Sequence, residues 1–206
     1  LNSARAFAAC LIGALLAGAA QADPVASCRP TLPGWDSATL RIEVQGDTLL
    51  VQGRIEGDLP ARLKAVLAAH PDVATIRFNA SGDDRASAMA AGLVLRAAGN
   101  FEAHVPAGAN CTDACALLFL SGRIRSVDPA AVFDLGQFYE PAQGSAKSAD
   151  IARQSLEVSN YLIRMGVSRR LLTGTLDRDA ASAASGASRC LTPEELHGYN
   201  VANWNE

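Results

Sequence analysis

Between Val73 and Leu120, short apolar runs alternate with stretches of helical length, and polar turns join them. Val73 to Phe78 reads as a strand, Asn79 to Asp84 as a polar turn, and Ala86 to Ala98 as a helix ended by Gly99-Asn100. That helix carries Met89, Leu93, Val94 and Ala97 as its apolar face. Phe101 to Val105 is the next strand and a polar turn spans 106 to 113. The apolar run Ala114 to Leu120 then reads as a buried helix starting at Thr112 or Asp113. Strand, helix, strand, helix with short turns predicts an α/β fold with parallel pairing and right-handed crossovers. Functional sites in such folds gather at the carboxyl ends of strands, which singles out the turns at 79 to 84 and 106 to 113.

The flanking segments extend this pattern. Thr39 to Val44 and Thr48 to Val51 alternate apolar and polar residues around Gln45-Gly46-Asp47, the signature of a hairpin. Gly57-Asp58 opens a helix with Leu59, Leu63, Val66 and Leu67 on one face, closed by His70-Pro71. Downstream, Arg123 to Val127 and Ala131 to Phe138 read as short strands and Pro141 to Ser148 as a small-residue loop. Ile151, Val158, Leu162 and Met165 mark one face of a long helix ending at Gly166. After a low-complexity loop from Ala180 to Ser188, Thr192-Pro193-Glu194-Glu195 starts a last helix, with Thr192 as cap and Pro193 in the first turn.

Residues 1 to 22 combine one positive charge, Arg5, with an apolar stretch from Ala6 to Ala20 and an Ala20-Gln21-Ala22 cleavage site. These are the features of a secretory signal peptide, so the expected mature chain starts at Asp23, is periplasmic, and holds about 184 residues, enough for one domain. Removing Arg5 from the 18 basic and 21 acidic residues leaves 17 against 21, a net charge of about −4. A mildly acidic surface without basic clusters is expected, which argues against nucleic acid as a partner, and against an anionic membrane once the leader is gone. The expectation is no cofactor and no metal. Four cysteines remain: Cys28, Cys111, Cys115 and Cys190. In an exported chain an even number favours disulfides, with three pairings open. The four-residue spacing of Cys111 and Cys115 suits one bridge, which leaves Cys28 with Cys190. Zinc is the rival reading, but the spacing matches no usual zinc module.

Residues 108 to 123, GANCTDACALLFLSGR, carry the most chemical information. A polar turn leading into an apolar helix presents free backbone N–H groups and a partial positive charge. Enzymes that stabilise an oxyanion place a nucleophilic Ser on such a turn, and this one offers Asp113. The plainer reading of Asp113 is a helix N-cap.

Four motifs in order resemble the Clp protease and crotonase superfamily, close in pattern to exported signal peptide peptidases. Ile76-Arg77-Phe78-Asn79-Ala80-Ser81-Gly82-Asp83 is similar to the family's strand ending in Asn-Ser-Pro-Gly-Gly, whose glycines help form the oxyanion hole. Cys111-Thr112-Asp113-Ala114-Cys115 is similar to its Cys-x-Ser-Ala-Cys turn, where Ser is the nucleophile. Asp134-Leu135-Gly136-Gln137-Phe138 resembles its Gly-x-His-Gln-Phe stretch, where His is the base. Tyr161-Leu162 with Met165-Gly166-Val167, then Leu191-Thr192-Pro193-Glu194-Glu195-Leu196, resemble its closing helices.

The resemblance implies a Clp protease/crotonase-like fold of repeated β-β-α units around a mostly parallel sheet. It implies a homo-oligomer and a candidate oxyanion-hole or binding region at Gly82, Asp83, Asp113 and Ala114. The departures fall on the chemistry. Asp113 replaces the nucleophile, Gly136 the base, and Asp83 the second oxyanion glycine. Serine acyl transfer needs a hydroxyl, a base and donors aimed at the developing charge, so no intact catalytic set is expected. Ser81, Ser87 and Ser121 have no evident base, and of the histidines only His104 approaches the expected site. Asp177 and Asp179 lie where related proteases draw the third acid. The leading expectation is an exported pseudoenzyme acting as a binding or assembly module for an unidentified protein or peptide. The alternatives are a hydrolase or lyase using Asp113 as acid or base, with Asp83 or Asp84 beside it, or a serine peptidase with a displaced triad.

Overall fold

The computed structural model describes residues 39–135, 148–171 and 191–204. The chain opens with the expected hairpin, β1 (Arg41–Gln45) antiparallel to β2 (Thr48–Arg54), with Gln45 opposite Thr48. Gly46 supplies the positive φ of 63° that this tight connection demands. Leu49 and Val51 point to the core while Leu50 and Gln52 alternate outward. Helix α1 (Leu59–Ala69) buries Leu59 and Leu63, and its Pro60 sits in the first turn, where no backbone donor is missed.

Strand β3 (Thr75–Ser81) runs parallel to β2 along its whole length. It continues through Asn79, Ala80 and Ser81, which the sequence assigned to a polar turn. Their alternating burial, with Ala80 fully enclosed, shows that the small residue faces the core. Past β3 the sheet forks. β4 (Glu102–Val105) pairs with the first half of β3, from Thr75 to Arg77, and continues to β6 (Ile124–Val127). β5 (Asn110–Thr112) pairs with the far half of β3 at Ala80 and continues to β7 (Val132–Asp134). All these pairs are parallel, so the seven-stranded sheet is antiparallel only at its first hairpin. Residues 110–112, expected to be part of a turn, are thus a strand supported on both sides.

Helices α2 (Arg85–Ala98), α3 (Ala114–Phe119), α4 (Ser148–Arg164) and α5 (Pro193–Gly198) complete the repeated β-β-α pattern. The face of α2 differs from expectation. Ala88, Ala91, Gly92 and Leu95 are buried, whereas Leu93 is exposed. Small residues win because α2 lies close under its neighbours: a Cβ on Gly92 would run into the hydroxyl of Tyr161. That hydroxyl donates to Leu117 O at 2.8 Å, and burial raises its pKa above the ordinary tyrosine value. Every residue of α3 is buried, and Phe119 packs edge-on against both Phe78 and Phe133, with ring centroids 6.0 and 5.0 Å away. Thr192 and Glu195 close a reciprocal capping box on α5, as the sequence predicts for its start.

Among the described residues, Arg125 is the largest fully buried side chain. Its guanidinium donates to Val201 O at 2.7 Å, Asn200 O at 2.7 Å and Gly122 O at 2.8 Å, with longer contacts to Met165 O and Leu120 O. One side chain therefore ties the C-terminal segment and the end of α4 to the α3–β6 connection. Burial lowers its pKa to about 10, with the Arg96 charge adding to the effect, and it stays cationic at neutral pH.

Candidate functional site

The site suggested by the sequence forms where β3 and β5 end side by side. Gly82 follows β3 with φ +135°, a conformation that side chains rarely adopt. A Cβ there would stand 3.0 Å from both N and O of Ile55, so any side chain would press on backbone that has to shift to make room. Across from it, Asp113 links β5 to α3 with φ 53° and ψ −115°. This is no ordinary N-cap: the backbone is strained for a residue with a side chain, and Asp113 makes no side-chain cap hydrogen bond. The turn is held instead from the backbone, Asp113 N donating to Asp134 O and Ala114 N to Gly82 O, both at 2.9 Å. The Ala114 N–H, a candidate oxyanion donor, thus has an acceptor within the protein. Because the Gly82 carbonyl points at Ala114, the N–H of Asp83 on the same planar peptide points the opposite way.

The Cys111–Cys115 disulfide clamps the same turn, bridging β5 to α3 with a Cα separation of 5.1 Å. Cys28, Cys190, Gly136, Asp177 and Asp179 lie outside the described residues, as do residues 136–138 of the strand expected over Ala131 to Phe138, which among the described residues runs only Val132–Asp134. Asp83 pairs with Arg54 at 3.0 Å on the surface. Asp84 caps α2 by accepting from Ser87 N at 2.9 Å. A cleft of about 380 Å³ opens beside these two, between the start of α2 and α4, lined by charges of both signs and by Met89 and Val158. A larger cavity of about 790 Å³ lies between the β6–β7 connection and α5 and is lined by Phe133, the strand partner of Cys111.

His104 does not join this site. It pairs in register with Arg77, three residues before Ala80 and so about 10 Å back along the strand. Its Nε2 donates to Asp128 Oδ1 at 2.9 Å, while Asp128 Oδ2 accepts from Ala107 N at 3.0 Å. Burial opposes ionisation of Asp128, but the His104 and Ala107 bonds and nearby positive charge outweigh it, and its pKa falls below the ordinary value. A carboxylate with a depressed folded-state pKa contributes stability above its unfolded pKa and loses it as pH falls through the folded one. Asp128→Asn is therefore expected to flatten the acid side of the stability curve below about pH 4, measured by urea unfolding at stepped pH. Parallel acid limbs in the two proteins would refute the linkage.

Of the serines, Ser121 is held through its hydroxyl, while the bonds at Ser87 and Ser81 run through the backbone. Ser121 Oγ donates back to Leu118 O at 2.7 Å, Ser87 lends its N–H to the Asp84 cap, and Ser81 accepts the Ile55 N–H through its carbonyl. Among the described residues no group of three His, Cys, Asp or Glu is placed to hold a metal ion. The strained backbone at Asp113 is what sequence reasoning missed, since a residue's neighbours do not announce a conformation imposed by the strand and helix it joins.

No protein-family model and no curated protein matches the chain. Among solved structures, a ClpP1 mutant from Listeria monocytogenes is similar in fold, with a TM-score of 0.53 at 14% sequence identity. The match covers 77% of this chain and 90% of that one. With the forked parallel sheet, the repeated β-β-α units and the helix entered from a strained turn, the chain has the Clp protease-like fold.

Proposed function

We propose that this is an exported, non-catalytic protein of Clp protease-like fold, serving as a binding or assembly module. The observation that carries the reading is the turn at Asp113: a strained position leading into a buried helix holds a carboxylate, which has no hydroxyl proton to give up. The neighbouring Ala114 N–H is spent on Gly82 O rather than turned to a ligand. Export is supported by the leader-like first 22 residues and by the Cys111–Cys115 bridge, since disulfides persist in oxidising compartments. Self-assembly is supported by Leu93 on α2 and by Leu156 and Ile163 on α4, large apolar side chains left exposed. Leu156 and Ile163 lie seven residues apart and so on one helix face. The cleft beside Asp83 and Asp84, with both signs of charge around an apolar floor, suits a protein or peptide segment.

Fluorophosphonate probes are expected to leave the protein unlabelled, and ester or peptide substrates to turn over no faster than in buffer. Stoichiometric labelling at Ser81, Ser87 or Ser121 would overturn the reading. Asp113→Ser with Gly136→His is expected to restore weak labelling at most, because groups supporting a site must be held within about 0.5 Å to act. One observation favours a second reading, acid or base chemistry by Asp113: backbone strain concentrates where a fold positions a reacting group. Turnover of an ester or thioester panel that is abolished by Asp113→Asn, with stability unchanged, would select it.

A further inference from the structure

Four arginines meet at a pocket of about 280 Å³ where the ends of α2 and α4 approach the start of β6. Arg96, Arg123, Arg125 and Arg164 line it, together with Asn200 and Asn203. They come from three separate parts of an acidic chain, so the sequence shows no basic run there. The expectation of a surface without basic clusters is corrected by the fold, which gathers them. We infer that this pocket is an anion site built for a phosphate-type group, a tetrahedral oxyanion with two negative charges.

The geometry supports this on three counts. Like charges crowded together repel, and among the described residues none of the four guanidinium groups pairs with a carboxylate. Burial and then the Arg123 charge lower the pKa of Arg96, and burial and then the Arg96 charge lower that of Arg125, so the cluster feels its own repulsion. The donors are graded in availability. Arg125 is spent on backbone carbonyls and contributes field alone, whereas Arg123 and Arg164 are exposed. Arg96 is steered by a bond to Met165 O at 2.9 Å, and its Nε is buried without an acceptor. The walls are also fixed. Asn203 Nδ2 holds Arg123 O at 3.0 Å, and Asn200, at φ 57°, holds Gly166 O at 2.7 Å. Planar guanidinium forks around a rigid rim are suited to phosphate oxygens.

Calorimetric titration of the purified protein with inorganic phosphate, at ionic strength held constant with sodium chloride, tests this. Saturable binding with a dissociation constant on the order of 1 mM or tighter is expected. Each of Arg123→Gln and Arg164→Gln is expected to weaken it about tenfold, the loss of one charge-assisted contact. Arg41→Gln, on β1 away from the pocket, should leave it unchanged. Glycerol phosphate in a parallel titration distinguishes a free ion from a phosphate monoester: tighter binding of the ester assigns the pocket to a phosphorylated ligand, and tighter binding of phosphate to the ion. No saturation by about 10 mM, or equal affinity in both pocket variants, overturns the inference.

Discussion

Replacing Arg125 with methionine is expected to destabilise the protein by about 3–5 kcal/mol, although the volume is nearly kept. Methionine fills the space left by the stem but leaves the carbonyls of Val201, Asn200 and Gly122 without their donors. A buried acceptor without a partner costs roughly 1–3 kcal/mol, and here several are orphaned together. Asn203 Oδ1 accepts from Arg125 N, so that backbone tie would remain and the loss should fall short of complete unfolding. Arg125→Lys should recover only part, since an ammonium has three donors and none in a planar fork. Guanidinium chloride midpoints for the three proteins measure this. A methionine variant within about 1 kcal/mol of the parent would show that the guanidinium bonds are not what holds the C-terminal segment.

The other large effect is expected at Gly82. In Gly82→Val a β-branched residue must hold backbone φ near +135° while its Cβ presses on the Ile55 backbone at 3.0 Å. Strain of about 1–3 kcal/mol adds to overpacking of similar size. Neither contact lies at the end of a flexible side chain, so relief requires β2 and β3 to part near their ends. The Ile55 N to Ser81 O bond at 2.7 Å and the Ala114 N to Gly82 O bond stand next to the insult. Amide exchange should therefore quicken at Ile55 and Ala114 beyond the global loss of stability. A variant as stable as the parent, with exchange unchanged at both amides, would mean the loop relaxes freely and that the Gly82 conformation is not imposed by the fold.

Short-range signals were legible from the chain alone. The hairpin turned at Gly46, α1 began beyond Asp58, α5 began with the Thr192–Glu195 box, and Cys111 and Cys115 came within bonding distance across a helix start. Each depends on residues within four positions of one another, where backbone geometry and hydrogen bonding act without help from the rest of the molecule. Apolar alternation likewise implied parallel strands with helices between them.

What only the tertiary structure decided involves residues distant in sequence. β3 is shared between β4 and β5, so Asn79 to Ser81 became strand rather than turn because a neighbouring strand took up their backbone groups. α2 buried its small face instead of its larger one because Tyr161, some seventy positions on, fills the space beside Gly92. His104 turned to Asp128 on the adjoining strand end, and Asp113 was forced into a strained turn by the strand behind it and the helix ahead. The arginines at 96, 123, 125 and 164 meet only once α2, β6 and α4 have packed. The sequence determined the local elements and the class of fold, because those follow from neighbouring residues. Packing alone decided which side chains share a pocket, because that depends on which elements exclude water from one another.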